Sequence, residues 1–487
     1  MSTTKSTKVY QMYIDGQFVN SSSNETTPVF NPATEKVISE VPKGTVSDAR
    51  RAVGAATRAQ KEWAKLPAIE RAQYLKAISK GIRENANHLA RVISEEMGKT
   101  LSLAEVEVNF TADYIEYTAE WARRYEGEII QSDRPNENIL LFKKPIGVVA
   151  GILPWNFPFF LIARKAAPAL ITGNTIVLKP SAESPNNALE FAKIVEKADL
   201  PKGVINFVTG SGSVIGKDLA SNPNVGLVSL TGSYHAGAEV MRAASENITK
   251  VSLELGGKAP AIVMSDADLD LAVKSIVASR VINSGQVCNC AERVYVHEDI
   301  AENFYEKIVE AMEQVKYGNP FVYSDIDMGP LINESSLKAV EKHVEEAISS
   351  GAKLLTGGKR TGEVGYFFEP TVLINTKNNM RIMQDEIFGP VLPIASFKDL
   401  DEAIELANDC EYGLTSSIYT QNIDVAMRAC NELKFGETYI NRENFEAIQG
   451  FHAGWRKSGI GGADGKHGLE EYLQTHVVYL QYNQNRK

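Results

Sequence analysis

The sequence predicts an α/β protein of two successive domains, each a parallel sheet flanked by helices, with a small β element that belongs to neither. Three observations lead there. Five short β-branched runs ending at Gly or Pro (VVAGIL, TIVLKP, VINFVTG, VGLVSLTG and VSLELGG) alternate with the helical stretches FLIARKAAPALITG, NNALEFAKIVEKADL and GKDLASN. Strand and helix alternating at this spacing make a parallel sheet covered on both faces. After Gly256 a second block alternates in the same way. Its strands are RVYVHED, EPTVLIN, PVLPIASF, SSIYT and TYINR, and its helices fall at 301–316, 334–350, 399–409 and 422–434. Two pieces fit neither block: EGEIIQSDRPNENILLFKKP reads as a hairpin turning at Arg134–Asn138, and THVVYLQYN alternates like a strand without a local partner. Such a strand is expected to pair with a neighbouring subunit.

In chain order, about 20 loose residues lead into a short strand, QMYIDGQFV. From Val46 to about Glu126 the pattern is helical. Thr45 or Ser47 caps a first helix through DARRAVGAATRAQKEWAK, a second starts near Ala68, and a third carries AEVEVNFTADYIEYTAEWARRYE. Apolar residues at three- and four-residue spacing support each one. The resulting units are 1–125 with 146–255, then 256–468, and the β element 126–145 with 469–487. No repeat, low-complexity tract or flexible linker separates them, so they should pack together.

Composition narrows the function. Of 487 residues, 44% are hydrophobic and 23% charged, as in soluble globular proteins. Lys and Arg number 51 against 61 Asp and Glu, a net charge of −10. That gives no support for binding nucleic acid or an acidic membrane surface. The four cysteines, Cys288, Cys290, Cys410 and Cys430, make no disulfide framework and suit a reducing, cytoplasmic compartment. The N-terminal residues lack the apolar core of a signal peptide. The uncharged run Pro145–Ala163 contains Gly147, Gly151, Pro154, Asn156 and Pro158, which suit buried strand and loop rather than a spanning helix. No metal site is expected.

Three short segments carry chemistry. In INSGQVCNCAERVYV, Cys288 follows a tight turn at Gly285; it is a candidate nucleophile, or a buried structural thiol. In VSLELGGKAP, Glu254 ends an apolar strand, where a carboxylate is costly unless it has a task or an ion-pair partner. In GILPWNFP, Asn156 lies between two prolines, a rigid placement that suits an oxyanion-stabilising amide or simply a turn.

The order PWNFP, LELGGK, GQVC and EIFGPV resembles the aldehyde dehydrogenase superfamily, and the likeness runs from MYIDGQFV to the C-terminal strand. The resemblance implies a Rossmann-like cofactor domain (1–125 and 146–255), an α/β catalytic domain (256–468) and a small oligomerisation element that builds dimers or tetramers. It also implies a reaction. The Cys288 thiolate attacks an aldehyde, the Asn156 amide and Cys288 N–H hold the oxyanion, and hydride passes to a nicotinamide. Glu254, of near-neutral pKa, then activates the water that releases the acid.

For the cofactor, NAD or NADP, the resemblance implies Trp155, Lys179, Ser181, Ala182, Lys217, Ser233, Glu386 and Phe388. It adds the GxGxxxG run of Gly210, Gly212 and Gly216, a weak signal alone. NAD-preferring members usually read KPSE, whereas this chain reads Lys179-Pro180-Ser181-Ala182. The missing carboxylate, with Lys217 nearby, predicts that NADP is accepted as well as NAD. For the substrate, Arg164, Asn289, Glu446 and His452 are expected to line the mouth of the pocket. They suit a short hydroxylated or acidic aldehyde such as lactaldehyde or glycolaldehyde, unless they pair with one another at the surface. Semialdehyde or glyceraldehyde-3-phosphate oxidation is the alternative within the family. A catalytically silent or CoA-acylating member is disfavoured by Cys288, Asn156 and Glu254 together.

Overall fold

Five parallel strands form the centre of the first sheet, in the spatial order Lys250–Glu254, Val225–Thr231, Val148–Ile152, Thr175–Lys179 and Ile205–Phe207. This computed structural model describes residues 7–483; the first six residues of the expected loose terminus and the last four of the expected oligomerisation element lie outside it. The alternation of side chains along each strand divides the apolar residues between two cores. Val149, Ile176 and Leu178 pack on one face, and Val148, Ala150, Ile152 and Val177 on the other. Two-sided burial explains the near-continuous apolar runs.

Met12–Ile14 and Gln17–Val19 form one edge of this sheet; among the five central strands the chain begins at Val148–Ile152, runs outward through Ile205–Phe207 toward that edge, then returns to the other side of Val148–Ile152. The strand order therefore reverses between Val148–Ile152 and Val225–Thr231. In open α/β sheets ligands bind outside the carboxyl ends of the strands at such a point, and the loops leaving it are PWNFP and Thr231–Ser233.

The second sheet has seven strands, ordered Lys353–Thr356, Thr371–Ile374, Val391–Phe397, Ala291–His297, Ala259–Val263, Thr415–Tyr419 and Glu437–Ile440. All pairs are parallel except the edge strand Lys353–Thr356. Gly459–Ile460, within the expected second unit, returns to pair antiparallel with Lys250–Glu254 of the first sheet. Because Ile460 and Gly459 face Leu253 and Glu254, the C-terminal loops are anchored beside the end of the Glu254 strand.

The sequence reading needs several corrections. The region 46–126 holds four helices, not three: Val46–Trp63, Ala68–Glu84, Ala86–Met97 and Leu101–Ala119. The unforeseen break falls at Asn85, which ends the second helix and begins the third; the third ends at Gly98, left-handed at φ 86°, where a Cβ would lie 2.6 Å from the Pro330 ring. Thr45 caps the first helix in a reciprocal box with Asp48. The N-terminal stretch is not loose throughout, since Lys8–Val9, Lys36–Pro42 and Thr26–Asn31 form a small sheet. The hairpin pairs Glu128–Gln131 with Glu137–Pro145 and turns at Ser132–Asn136, slightly earlier than expected. The C-terminal strand, Leu473–Gln481, does have a partner in its own chain: it pairs along Glu137–Pro145 in unbroken antiparallel register. Among the described residues no helix is long and apolar enough to cross a membrane.

Candidate active site

Cys288 stands where two cavities meet. One is lined by Asn156, Arg164, Thr231, Glu254, Cys288, Asn289, Glu446 and His452, with Phe110, Phe157, Phe160 and Phe445 as apolar walls. The other lies at the reversal of strand order and is lined by Trp155, Thr231–Ser233, Leu255, Gly256, Glu386 and Phe388. Asn156, Thr231 and Cys288 border both.

The loop that carries the thiol is held by its backbone. Asn283, Ser284 and Gly285 take left-handed φ values of 50°, 59° and 76° in succession. Arg280 fixes this turn by donating to the Gly285 carbonyl at 2.7 Å and the Ala291 carbonyl at 2.8 Å. The same guanidinium is ion-paired to Glu292 at 2.8 Å. Glu292 also accepts from Lys258 at 2.9 Å and from the backbone N–H groups of Ile387 at 2.9 Å and Phe388 at 3.2 Å. The Cys288 and EIFGP loops are thereby tied to one buried carboxylate, which these partners hold down at about 2 against the effect of burial. The PWNFP loop has its own clamp: buried Glu107 accepts from Phe159 N–H at 2.8 Å and Phe160 N–H at 3.0 Å while ion-paired to Lys99.

Asn156 is buried between these loops. Its Nδ2 donates to the Gln286 carbonyl at 3.0 Å, and its backbone carbonyl accepts from Asn283 at 3.1 Å. An amide NH2 has two hydrogens, so one remains for a group beside Cys288.

Glu254 ends its strand opposite Thr231, whose hydroxyl donates to it at 3.0 Å. Behind them Lys165 Nζ donates to Thr231 Oγ1 at 2.9 Å and Ser229 Oγ at 3.0 Å. Burial alone would raise the Glu254 carboxyl. Arg164, Lys165, His452 and the Thr231 hydroxyl outweigh it and leave the group below the ordinary carboxylate range. The expected near-neutral Glu254 is thus corrected to an ionised one, because cations sit around it.

The four residues expected to read the substrate are together, but not at a surface mouth. Arg164 is buried and donates through Nε to Asp464 at 2.9 Å and through Nη2 to Asp464 and, at 3.3 Å, to Glu446. Its Nη1 lies 3.9 Å from Glu254. Asn289 donates to the other Glu446 oxygen at 2.5 Å. His452 is 2% exposed, with Nδ1 2.5 Å from Glu437. The sequence reading missed Thr231, Lys165, Asp464, Glu437 and Glu107. The available signal was for Lys165 alone, a second charge beside Arg164 in the otherwise apolar helix Phe160–Ile171.

On the other side of Cys288, Trp155 and Phe388 meet edge to face at 5.4 Å. Glu386 accepts from Gly257 N–H at 3.0 Å, and burial with neighbouring Glu292 pushes it up to about 8. A Cβ on Gly256 would lie 2.4 Å from that carboxylate. Ser233 caps the next helix, accepting from Ala236 N–H at 3.3 Å. Lys179, Ser181, Ala182, Gly212, Gly216 and Lys217 do not line this cavity beside Cys288. They lie at or after the ends of the next two strands, on the same edge of the sheet. Lys179 Nζ is buried against the Pro180 and Gly210 carbonyls at 2.8 and 3.3 Å, and burial lowers its pKa to about 8. Gly212–Gly216 makes one wide helical turn, and a Cβ on Gly212 would meet only open space. Its small size is not required by the chain's own packing, which fits a cradle for a dinucleotide backbone. Ala182, Glu183 and Lys217 are exposed. Among the described residues no cluster of acidic, His and Cys side chains could hold a metal ion.

A thiol, a carboxylate and an amide thus converge beside a strand-end cleft. The chain belongs to the aldehyde dehydrogenase family, whose model matches residues 18–478. It is 64% identical to lactaldehyde dehydrogenase of Escherichia coli over 97% of this chain and 98% of that one. The crystal structure of that enzyme superposes with a TM-score of 0.97, covering 98% of this chain and all of that one. A D-glyceraldehyde dehydrogenase (NADP(+)) from Thermoplasma acidophilum is 41% identical over 97% of this chain and 96% of its own length. Betaine aldehyde dehydrogenase of Staphylococcus aureus in complex with NAD+ is 37% identical, with a TM-score of 0.95 over 98% of this chain and 95% of that one.

Proposed function

We propose that this protein oxidises short 2-hydroxyaldehydes, lactaldehyde and glycolaldehyde above all, to their carboxylic acids with NAD or NADP. The observation that carries the proposal is Cys288 at the junction of a strand-end cleft and an aromatic-walled pocket that sets Arg164, Asn289, Glu446 and His452 among its apolar lining, with Asn156 and Glu254 beside it. Cys288 Sγ attacks the carbonyl carbon, and the free Asn156 N–H takes the developing oxyanion. The chemistry supplied by a bound NAD or NADP is acceptance of hydride from the Cys288 adduct, which leaves a thioester. Glu254, ionised throughout the neutral range, then accepts a proton from the water that cleaves it.

Trp155, Ser233, Glu386 and Phe388 would hold the nicotinamide half. Lys179, Ser181, Ala182, Gly212, Gly216 and Lys217 would hold the adenosine half, within a dinucleotide-binding unit of 1–125 and 146–255. Arg164, from the 146–255 segment, and Asn289, Glu446 and His452, from the 256–468 unit, would recognise the hydroxyl. The three-stranded sheet of Glu128–Gln131, Glu137–Pro145 and Leu473–Gln481 exposes Ile129, Phe142, Val477, Tyr479 and Leu480, which supports use of the element 126–145 with 469–487 in a homo-oligomer. The free thiols support a cytoplasmic setting.

The test is a panel of matched aldehydes. Lactaldehyde should exceed propanal in kcat/KM by about 10- to 100-fold, since a pocket built for a hydroxyl leaves buried groups unpaired without it. Cys288→Ala should turn over neither. Equal efficiency for the two aldehydes would remove the hydroxyl reading, and turnover by Cys288→Ala would remove the nucleophile.

A further inference from the structure

Most of the hydrogen-bonding capacity of Arg164 is already taken. A guanidinium carries one N–H on Nε and two on each terminal nitrogen. The Nε hydrogen goes to Asp464 Oδ1 at 2.9 Å, and the two on Nη2 go to Asp464 Oδ2 and, at 3.3 Å, to Glu446 Oε1. One edge of the guanidinium, of the kind that grips a carboxylate or phosphate with two parallel hydrogen bonds, is therefore filled by the protein's own buried Asp464. A second such grip would need an Nη2 hydrogen, and both are engaged. Nη1 alone is left: it makes no hydrogen bond among the described residues, and it lies 3.9 Å from Glu254 Oε2.

The other charges in and behind the pocket are answered in the same way. His452 Nδ1 lies 2.5 Å from Glu437, and the second oxygen of Glu446 takes the Asn289 amide at 2.5 Å. Glu107 is ion-paired to Lys99. Lys165 stands behind Thr231, bonded to its hydroxyl at 2.9 Å. The carboxylates Glu254, Glu437, Glu446 and Asp464 thus surround Arg164, Lys165 and His452, an excess of negative charge even with His452 protonated. Burial works against the charge on Arg164, but Asp464, Glu254 and Glu446 outweigh it and hold it well above its ordinary value. The cation is neutralised in place rather than waiting for an anionic ligand.

We propose that Asp464, with Glu446, sets the charge selectivity of this pocket: by filling Arg164 they bar aldehydes that carry a carboxylate, sulfonate or phosphate and leave Nη1 for the neutral hydroxyl of a 2-hydroxyaldehyde. The inference rests on the reading of this pocket as the substrate site. Asp464 is a positioning residue, acting through Arg164. A hydroxyl oxygen can accept from Nη1 without bringing charge. An anion could reach Nη1 only beside Glu254 and Glu446, within walls of Phe110, Phe157, Phe160 and Phe445 where little water screens the repulsion. Of the two aldehyde classes that Arg164 and its neighbours suit by residue type, hydroxylated and acidic, the pairing retains the first.

Paired assays of 4-oxobutanoate and its methyl ester, which differ in charge and lack a 2-hydroxyl, test this in the full-length enzyme with saturating cofactor. The parent, Asp464→Asn and Glu446→Gln are compared, with Tm as folding control. The parent should favour the ester in kcat/KM by about 10-fold or more. Asp464→Asn keeps an acceptor for Arg164 but removes the charge. It should move the ratio toward the anion by about 10-fold, chiefly through a lower KM for the anion. Glu446→Gln should move the ratio the same way by less, and it carries the test independently of how Asp464→Asn folds. A general loosening of the pocket would change both compounds alike and leave the ratio where it was. Two results would overturn the proposal: a parent that oxidises anion and ester equally well, or a ratio that stays at the parent's value in both variants. Neither touches the hydroxyl reading, since lactaldehyde and propanal are both neutral and their comparison decides it separately.

Discussion

On one side of Cys288 the wall is made of charges that already satisfy one another; on the other it is made of aromatic rings, backbone and missing side chains. The substrate side holds Arg164 between Asp464, Glu446 and Glu254, with Asn289 on Glu446 and Glu437 on His452. The cofactor side offers Trp155, Phe388, Leu255 and two glycines, Gly232 and Gly256. A paired charge network is rigid and discriminates by what it leaves unpaired, so it suits a small polar substrate. A cleft cleared of side chains lets the backbone approach a long ligand and discriminates at few positions. One change should therefore be severe in the first wall and selective in the second.

The largest effect expected is on the substrate side. Asp464→Ala removes two of the three hydrogen bonds of the buried Arg164 guanidinium, and removing one member of a buried ion pair costs about 3–5 kcal/mol. Thermal unfolding should show a marked fall in Tm, and Arg164 should turn toward Glu254 and weaken it as a base. A Tm and turnover like the parent's would mean that the network is not the rigid wall described here. A smaller and purely selective effect is expected across Cys288. On the proposal that exposed Ala182 borders the 2′ position of the cofactor, Ala182→Glu should depress kcat/KM with NADP relative to NAD by about 10- to 100-fold. Parallel titrations of the parent with both cofactors complete this test. Rejection of NADP by the parent would mean that another group, such as Glu183, already guards the position.

The same contrast explains what could be read from the sequence. Cys288, Glu254 and Asn156 were legible because each sits in a short run whose Gly or Pro residues fix a local turn, and the sheet strands because β-branched runs end at such residues. The substrate wall was only half legible. Arg164, Glu446 and His452 were recognised as a set, but their burial and their partner Asp464 were not, since residues 300 positions apart meet through tertiary packing alone. For the same reason the ionised state of Glu254 was missed: Arg164 and Lys165 reach it from a neighbouring helix. The C-terminal strand showed its alternation but not its partner, Glu137–Pro145, far away in sequence. On the cofactor side, the wide turn at Gly212–Gly216 is a backbone conformation that the spacing of its glycines only suggested.

The central claim is that one side chain, Cys288, holds the acyl group while another, Glu254, releases it. Rapid mixing of Glu254→Gln with lactaldehyde and NAD, following reduced cofactor, tests it most directly. The amide preserves shape but accepts no proton from water. The account predicts a burst approaching one reduced cofactor per active site, then a stall, with the acyl group recoverable on the Cys288 peptide. Steady turnover near the parent rate, with no trapped acyl group, would contradict it.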